Sequence, residues 1–327
     1  KWHNLAKVSE VPEVRAAGLE VPAVAGSEGP RIQESIDPFI EAKSWSREKT
    51  KNTAIRHLNL IARLLDNPRL IDITERDVVT FAKKYIKEFT AEKGKPPSLG
   101  ILKDIQSNGS QFMKYWVREE FAENNPFLGV DLKNLGANEV TKSYRPFEKY
   151  ELEQLFALPM PDEDRLLLSI LISTGMRLDE AALLTWDQIR SEDSIRYFSL
   201  MDSDNANVIV KNQGSLRKVP IPDVLTLPKR AEGRLFSYSL DADGKAQTSA
   251  SQRLMKYVRT VTKMETKVVH SLRGNLKDLL RDADVSKELN DFITGHSSGD
   301  VAGKYGSGFS LQKRYVAINS VKHPWLS

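Results

Sequence analysis

The chain has 327 residues, 40% hydrophobic and 28% charged, so it is long enough for two cores and too apolar to stay disordered. It contains no cysteine, which excludes disulfides, a thiolate nucleophile and a cysteine-ligated zinc site and fits a reducing cytoplasmic setting. A net charge of +4 is compatible with a nucleic-acid partner, but many ordinary proteins share it, so specific residues must identify the partner.

The N-terminal segment predicts an extended arm. Residues 1–32 contain Val, Ala, Pro and Gly in no helical or strand period, and we interpret them as an extended arm or linker. Because the chain opens with Lys1 rather than Met, we expect a processed or trimmed form from which an N-terminal module can be missing.

Residues 33–123 predict a small all-helical domain, because their apolar residues recur at helical spacing. Ser46 is predicted as an N-cap, and Thr74 with Asp77 resembles a capping box. The predicted helices run over 46–65, from Thr74 onward and over 99–121.

Residues 124–146 lack a long apolar period and contain Pro, Gly and Asn, so we interpret them as an interdomain linker. Residues 147–327 predict a second domain in which helices surround a strand-rich patch with IRYFSL, NVIVK and LRKVPIP. The turn Asn212-Gln213-Gly214 joins the last two of these strands. Its helices are predicted near 147–158, 162–184, 249–265, 268–282, 285–294 and 310–321. The fold class is therefore mainly α with a small β-sheet.

Side chains in the second domain suit phosphoryl transfer through a covalent protein–DNA bond. Breaking a phosphodiester requires an in-line nucleophile, cations on the non-bridging oxygens and an acid for the departing oxygen. Tyr305 supplies a phenol nine residues after His296 and 32 residues after Arg273, while Arg177 lies upstream in STGMRLDEAALLTW. Arginine clamps phosphate well because its planar fork donates two parallel hydrogen bonds. With these cations no metal is needed, and no cofactor is expected.

Arg177 has two interpretations. It follows a Ser-Thr-Gly turn and precedes LDEAALL, which places a cation at a helix N-terminus, where anions bind. It can equally be a surface arginine paired with Asp179 or Glu180. In the first interpretation Glu180, one turn on, holds Arg177 in position.

The other four side chains are weak signals when taken singly. His270 and Arg273 are three residues apart on a predicted helix and share a face, but such a pair usually belongs to a solvated surface. A lone histidine such as His296 is more often structural. Tyr305 lies in a Gly-rich, polar stretch where a ring has little core to fill and a loop can swing it into a site. Their order and combination favour a catalytic site.

The second domain resembles the tyrosine recombinase, or phage integrase, family. The family pattern has an Arg in T-G-x-R-x-x-E, a Lys on a β-hairpin, H-x-x-R, then G-H and a Tyr nine residues further on. This sequence matches it over about 147–321 with TGMRLDE, VKNQGSLRKVP, HSLR, GH and KY. Residues 33–123 resemble the family's helical, SAM-like core-binding domain by position and pattern, and the mixed α+β part resembles its catalytic domain.

The resemblance implies a role for each matched residue. Arg177 and Arg273 would hold the scissile phosphate, and Tyr305 would attack it to give a 3′-phosphotyrosyl link and a free 5′-hydroxyl. Lys211, just before the hairpin turn, would be the general acid for the leaving oxygen. Two alternatives for that acid lie across the same hairpin, Arg217 and Lys218.

The two histidines of the pattern would complete this site. His270 would assist proton transfer or phosphate binding, and His296 would hydrogen-bond the phosphate.

Basic residues on two predicted helices are candidates for contacts with the DNA backbone, although a solvated basic face is the commoner meaning of such charges. Asn108, Ser110 and Gln111 are candidates for reading bases. The backbone candidates are Arg47, Lys49, Lys51, Arg56, Lys103, Lys114 and Arg118.

The resemblance implies a site-specific DNA recombinase that integrates or excises a prophage or mobile element. Expected partners are double-stranded recombination sites, three further copies of the chain in a tetramer, and possible accessory factors, namely a host DNA-bending protein and an excision factor. We expect a cytoplasmic, nucleoid-associated protein. The tail with Trp325 is a candidate for docking on a neighbouring subunit, because so short a tail is hard to bury on its own domain. Two alternatives stay open: a type IB topoisomerase and a DNA-binding regulator with an inactive site.

Overall fold

The structure is a computed structural model that describes residues 29–140, 143–201, 216–295 and 308–326. The chain divides into two compact units, with the boundary between Thr141 and Lys142. In the described part of the chain, no helix combines the length and the apolar composition needed to cross a membrane.

The first unit is a bundle of helices whose apolar faces share one core. Leu58, Phe81 and Phe112 are buried there because they recur on the inward faces of three successive long helices. The expected capping box is confirmed, since the Thr74 side chain and the Asp77 side chain each accept a hydrogen bond from the other's backbone N–H. The helices are α1 (Ile32–Ala42), α2 (Glu48–Leu64), α3 (Glu75–Lys93) and α4 (Leu99–Arg118).

The predicted cap at Ser46 is wrong. Helix α2 begins at Glu48 and its N-cap is Arg47, whose backbone is extended and whose side chain makes no capping hydrogen bond. The chain thus enters the helix one residue later than a serine cap would require.

The first part of the predicted linker packs on the first unit. Phe127 and Leu132 are buried in its core, and the Phe127 ring lies 2.6 Å from the point where a Cβ on Gly109 would stand. Asn125 donates a hydrogen bond to the Ser110 carbonyl at 2.9 Å. This segment is folded, but single side chains anchor it to the unit, so its sequence shows no helical period.

In the described part of the second unit, helices surround a three-stranded antiparallel sheet, and the predicted fold class, mainly α with a small sheet, is confirmed. Phe198 and Val219 face each other across the sheet and are both buried. The strands, in sheet order, are β1 (Ile189–Glu192), β2 (Ile195–Leu200) and β3 (Arg217–Pro220). The helices are α5 (Lys149–Ala157), α6 (Asp162–Thr174), α7 (Leu178–Ala182), α8 (Gln247–Val261), α9 (Ser271–Asp282), α10 (Lys287–Thr294) and α11 (Leu311–Asn319).

The helix predicted over 162–184 is two helices. Helix α6 ends at Thr174 because Gly175 adopts φ +65°, a left-handed conformation that terminates a helix. Helix α7 starts at Leu178. The break positions Arg177 at the start of α7 rather than in the middle of a long helix.

The C-terminal tail packs on its own unit, which differs from the expectation for Trp325. That ring is partly buried against the main core of the second unit. His323 is only 6% exposed and makes an edge-to-face contact with Trp325, with ring centroids 5.7 Å apart. The tail is partly buried because Pro324–Leu326 forms a short 3-10 helix that packs beside α5. This contact is between residues far apart in the chain, so the local sequence of the tail does not predict it.

Candidate active site

Arg177 is the N-cap of α7, and both ends of the residue are held. Its backbone N–H donates to Glu180 Oε2 at 3.0 Å and its Nη1 donates to Glu180 Oε1 at 2.6 Å. Its Nη2 donates to the carbonyl of Gly295 at 2.9 Å. The side chain is still 30% exposed, so a ligand can reach it. The pairing with Glu180 thus fixes Arg177 in place without enclosing it.

Arg273 lies in the first turn of α9 and is buried, with an exposed fraction of 3%. Its Nη1 donates to the carbonyl of Gly175, the residue that ends α6. Loss of hydration, together with the nearby charges of Arg177 and Arg217, lowers the pKa of Arg273 to about 9. The guanidinium stays charged at neutral pH, but positive charge around it exceeds negative charge.

His270 is the N-cap of the same helix and is exposed on one side. Its ring packs edge-to-face on Tyr144, with centroids 5.8 Å apart. Partial loss of hydration lowers the pKa of His270 below the ordinary 6.5, and the charges of Arg273 and Arg177 lower it further. The imidazole is therefore neutral at pH 7 and able to accept a proton.

Glu180 carries the negative charge at the centre of this cluster. Burial alone would raise the pKa of its carboxyl, but the charges and hydrogen bonds of Arg217 and Arg177 outweigh burial and lower the pKa below its usual range. Glu180 is therefore ionised at neutral pH. A single carboxylate thus faces two guanidinium groups.

Arg217, named from the sequence only as an alternative acid, belongs to this cluster. It is 4% exposed, and its Nη2 donates to Glu180 Oε2 at 3.0 Å. Its Nε donates to the carbonyl of Ile293 at 3.3 Å. A buried, ion-paired guanidinium is a poor proton donor, so Arg217 does not suit the role of general acid.

Lys218, the other alternative, points away from Arg217 because neighbouring residues of a strand face opposite sides. Its ammonium pairs with Glu192 and lies 5.3 Å from the centre of the Tyr197 ring. The hydrogen bond from Lys218 to Glu192 raises the pKa of Lys218, which makes this lysine a weaker acid.

Three residues of the predicted site, Lys211, His296 and Tyr305, lie outside the described residues. The neighbour of His296 is described: Gly295 has φ +65°, and its carbonyl accepts the hydrogen bond from Arg177. The structure therefore brings together Arg177, Glu180, Arg217 and Arg273. His270 lies close enough for the charges of Arg273 and Arg177 to lower its pKa. Among the described residues, no group of acidic or histidine side chains could hold a metal ion.

The predicted backbone contacts lie on the surface of the first unit. Lys51 has only a loose contact with Glu48, at 3.8 Å, and Arg118 pairs with its exposed neighbour Glu119 at 3.0 Å. Weak pairs of this kind leave such cations available to another anion. The exposed candidates are Lys49, Arg56, Lys103, Lys114 and Arg118, whereas Arg47 and Lys51 are half-buried.

The three candidates for reading bases are engaged within the first unit. Asn108 is hydrogen-bonded to the ring of His57 and to the backbone of its own helix. Ser110 accepts a hydrogen bond from Asn125, and Gln111 accepts one from Lys43. Because folding uses these polar groups, the structure does not favour them as base readers.

Comparison with solved structures identifies the class of fold. The chain is similar to the Tn1549 transposon integrase in complex with circular intermediate DNA, with a TM-score of 0.60 and 16% identity over 90% of this chain and 96% of that chain. It is similar to a lambda integrase dimer bound to a COC' core site, with a TM-score of 0.59 and 17% identity over 86% of this chain and 99% of that chain.

A lambda integrase tetramer bound to a Holliday junction is also similar, with a TM-score of 0.58 and 17% identity over 83% of this chain and 79% of that chain. No protein-family model matches the sequence, and no curated protein matches it. The chain has the tyrosine recombinase fold.

Proposed function

We propose that this protein is a site-specific DNA recombinase that cleaves and rejoins strands through a 3′-phosphotyrosyl intermediate, and so integrates or excises a mobile element. The observation that carries the proposal is the convergence of Arg177 and Arg273 at the ends of two different helices. Both are held by fixed acceptors, and the charge of Arg177 is among the causes that lower the pKa of Arg273.

This arrangement suits a phosphodiester. A phosphate between Arg177 and Arg273 would add negative charge beside both cations, and each guanidinium can donate to non-bridging oxygens. Because both cations are oriented before the substrate arrives, they can stabilise the charge that builds up on phosphorus without reorganising.

In the proposed step, the phenolic oxygen of Tyr305 forms a bond to phosphorus while the bond from phosphorus to the 5′-oxygen breaks. Neutral His270 accepts the phenolic proton, and Lys211 donates a proton to the departing 5′-oxygen. His296 donates a hydrogen bond to a non-bridging oxygen. The products are a 3′-phosphotyrosyl bond and a free 5′-hydroxyl. A 5′-hydroxyl of the exchanging strand then reverses the step.

The remaining parts of the proposal concern binding and assembly. Residues 33–123 would bind the DNA backbone through their exposed cations, and residues 147–327 would carry the catalytic site. A homotetramer on two duplexes is supported by the likeness to the lambda integrase tetramer on a Holliday junction. A host DNA-bending protein, an excision factor and a cytoplasmic, nucleoid-associated location belong to the same proposal.

The test uses nicked duplexes with a randomised central segment, because the target sequence is unknown. Cleavage next to the nick releases a short strand, so rejoining fails and the protein stays attached in denaturing detergent. We expect wild-type protein to form such adducts, sequencing to reveal a preferred site, and peptide mapping to place the nucleotide on Tyr305. Tyr305→Phe should bind the enriched site without forming an adduct.

Three outcomes would refute the proposal. Adducts formed by Tyr305→Phe would show that Tyr305 is not the nucleophile. Binding without any wild-type adduct would favour a regulator with an inactive site. Adducts without sequence preference, with relaxation of any supercoiled plasmid, would favour a type IB topoisomerase.

A further inference from the structure

Arg217 occupies a position that the proposed chemistry leaves without a role. It begins β3, its side chain is 3% exposed, and it is held by the carboxylate of Glu180 and by the carbonyl of Ile293 near the end of α10. Its described hydrogen bonds go to two other segments of the chain, through which it can act on the site.

The contacts of Arg217 close a ring through the site. Glu180 joins Arg217 to Arg177, and Arg177 in turn donates to the carbonyl of Gly295. Gly295 returns the ring to Arg217, because a Cβ at this glycine would stand 2.8 Å from the guanidinium carbon. The Arg217 side chain therefore joins three separate segments of the chain: its own strand β3, helix α7 and the end of α10 with Gly295.

We infer that Arg217 is a positioning residue for the phosphate clamp; the inference rests on the proposed function. It shares the carboxylate of Glu180, so that Arg177 keeps one Nη for that carboxylate and directs the other toward Gly295. It also supports the glycine turn that immediately precedes His296. Without Arg217, Glu180 Oε2 loses one donor and keeps the backbone N–H of Arg177, so this oxygen can accept a second guanidinium hydrogen bond from Arg177 and turn that side chain away from the phosphate.

The same strand receives a second arginine from the C-terminal side. Arg314 of α11 donates to the carbonyl of Lys218, the residue after Arg217, and its guanidinium lies 5.3 Å from the centre of the Phe292 ring. The start of β3 is thus fixed both by α7 and by α11. A displacement of Arg217 would therefore disturb its contact with Glu180 of α7 and the neighbouring contact of Lys218 with α11.

The test compares Arg217→Met with a matched control, Arg253→Met. Arg253 also bonds a buried carboxylate, Asp164 at 2.8 Å, in the same unit, but it contacts neither Glu180 nor Gly295. The rate of adduct formation is measured with saturating protein on the enriched nicked duplex. DNA affinity is measured separately in the Tyr305→Phe background.

We expect Arg217→Met to slow adduct formation about 10- to 100-fold, while its affinity for DNA changes less than about threefold. Arg253→Met should lower the melting temperature but leave the rate within about threefold of wild type. In a Glu180→Gln background, Arg217→Met should slow the reaction by less than about threefold, because its effect passes through that carboxylate. If Arg217→Met does not fold, Arg217→Lys replaces it, and we expect a rate about tenfold lower because lysine lacks the fork.

Three results would each overturn the inference. The Arg217 variant could form adducts at the wild-type rate, or the Arg253 control could lose as much of the rate as the Arg217 variant. In the third, Arg217→Met would slow adduct formation by the same factor in the Glu180→Gln background as in wild-type protein. Failure of the proposed function would instead show as no adduct with wild-type protein, so the two failures are distinguishable.

Discussion

The Gly175→Ala substitution would test how tightly the acceptor of Arg273 is packed. Gly175 ends α6 with φ +65°, and its carbonyl accepts the hydrogen bond from Arg273. A Cβ built there would stand 2.9 Å from Leu276 Cδ2 and 3.0 Å from Thr294 Cγ2. Both of those side chains are fully buried, so neither can move aside at low energy.

The magnitude follows from two contributions. A left-handed conformation costs an alanine about 1–2 kcal/mol, and overpacking a dense core costs about 1–3 kcal/mol more. Gly244 provides the matched control, because it lies in the same unit, has φ +69°, and no atom lies within 4 Å of the point where its Cβ would stand. Gly244→Ala should therefore show the conformational contribution alone, and the unfolded-state effect of the added methyl group cancels between the two variants.

Calorimetric unfolding of the full chain measures the difference. We expect Gly175→Ala to be less stable than Gly244→Ala by about 1–3 kcal/mol, which lowers the melting temperature of a unit of this size by about 2–12 °C. Gly175→Ala should also form the DNA adduct more slowly, because the carbonyl that orients Arg273 shifts. Equal melting temperatures for the two variants would refute the packing argument.

Two further predictions use pH. Glu180 has a folded-state pKa below its ordinary 4.5, so its stabilisation is complete above pH 4.5 and is lost as the pH falls through the lower folded value. Glu180→Gln should therefore melt at a lower temperature than wild type at pH 7, and a gap that does not narrow toward pH 3 in calorimetry would contradict this. His323 is buried with a pKa lowered to about 4, and neither ring nitrogen has a hydrogen-bond partner among the described residues. Its unfolded form binds a proton first, so His323 should contribute a loss of stability of about 3 kcal/mol from pH 6.5 to pH 4, at about 1.4 kcal/mol per pH unit. His323→Leu should remove this contribution and flatten the slope of stability against pH in urea titrations.

Local patterns in the sequence predict most of the helices because those helices are amphipathic and carry local start signals. The capping pair Thr74 and Asp77 is such a signal, and it opens α3 as expected. The break at Gly175 escapes such patterns because apolar residues continue on both sides of it. Only the left-handed backbone and the close approach of Leu276 reveal why glycine is needed there.

The role of Arg217 could not be predicted from its neighbours in the sequence. Its inward direction follows from the pairing of β3 with β2, in which Leu200 faces Arg217. Its partner Glu180 is 37 residues away along the chain. The cluster therefore arises from tertiary contacts, whereas the motif residues Arg177 and Arg273 could be recognised by their resemblance to a family pattern. The docking of Trp325 on its own unit is non-local in the same way.

Two arginines of the second unit differ in the balance of charge around them. Although burial alone would lower the pKa of Arg253, Asp164 and Glu163 outweigh it and raise that pKa, so the local charge is already balanced. Arg273 donates to a carbonyl, and burial together with the charges of Arg177 and Arg217 outweighs the carboxylates of Glu180 and Asp291 and lowers its pKa to about 9. Burial of a charged group costs less free energy where charges of opposite sign outweigh those of the same sign. If the proposed phosphodiester binds beside Arg273, its negative charge would oppose the effect of Arg177 and Arg217 and raise the pKa of Arg273.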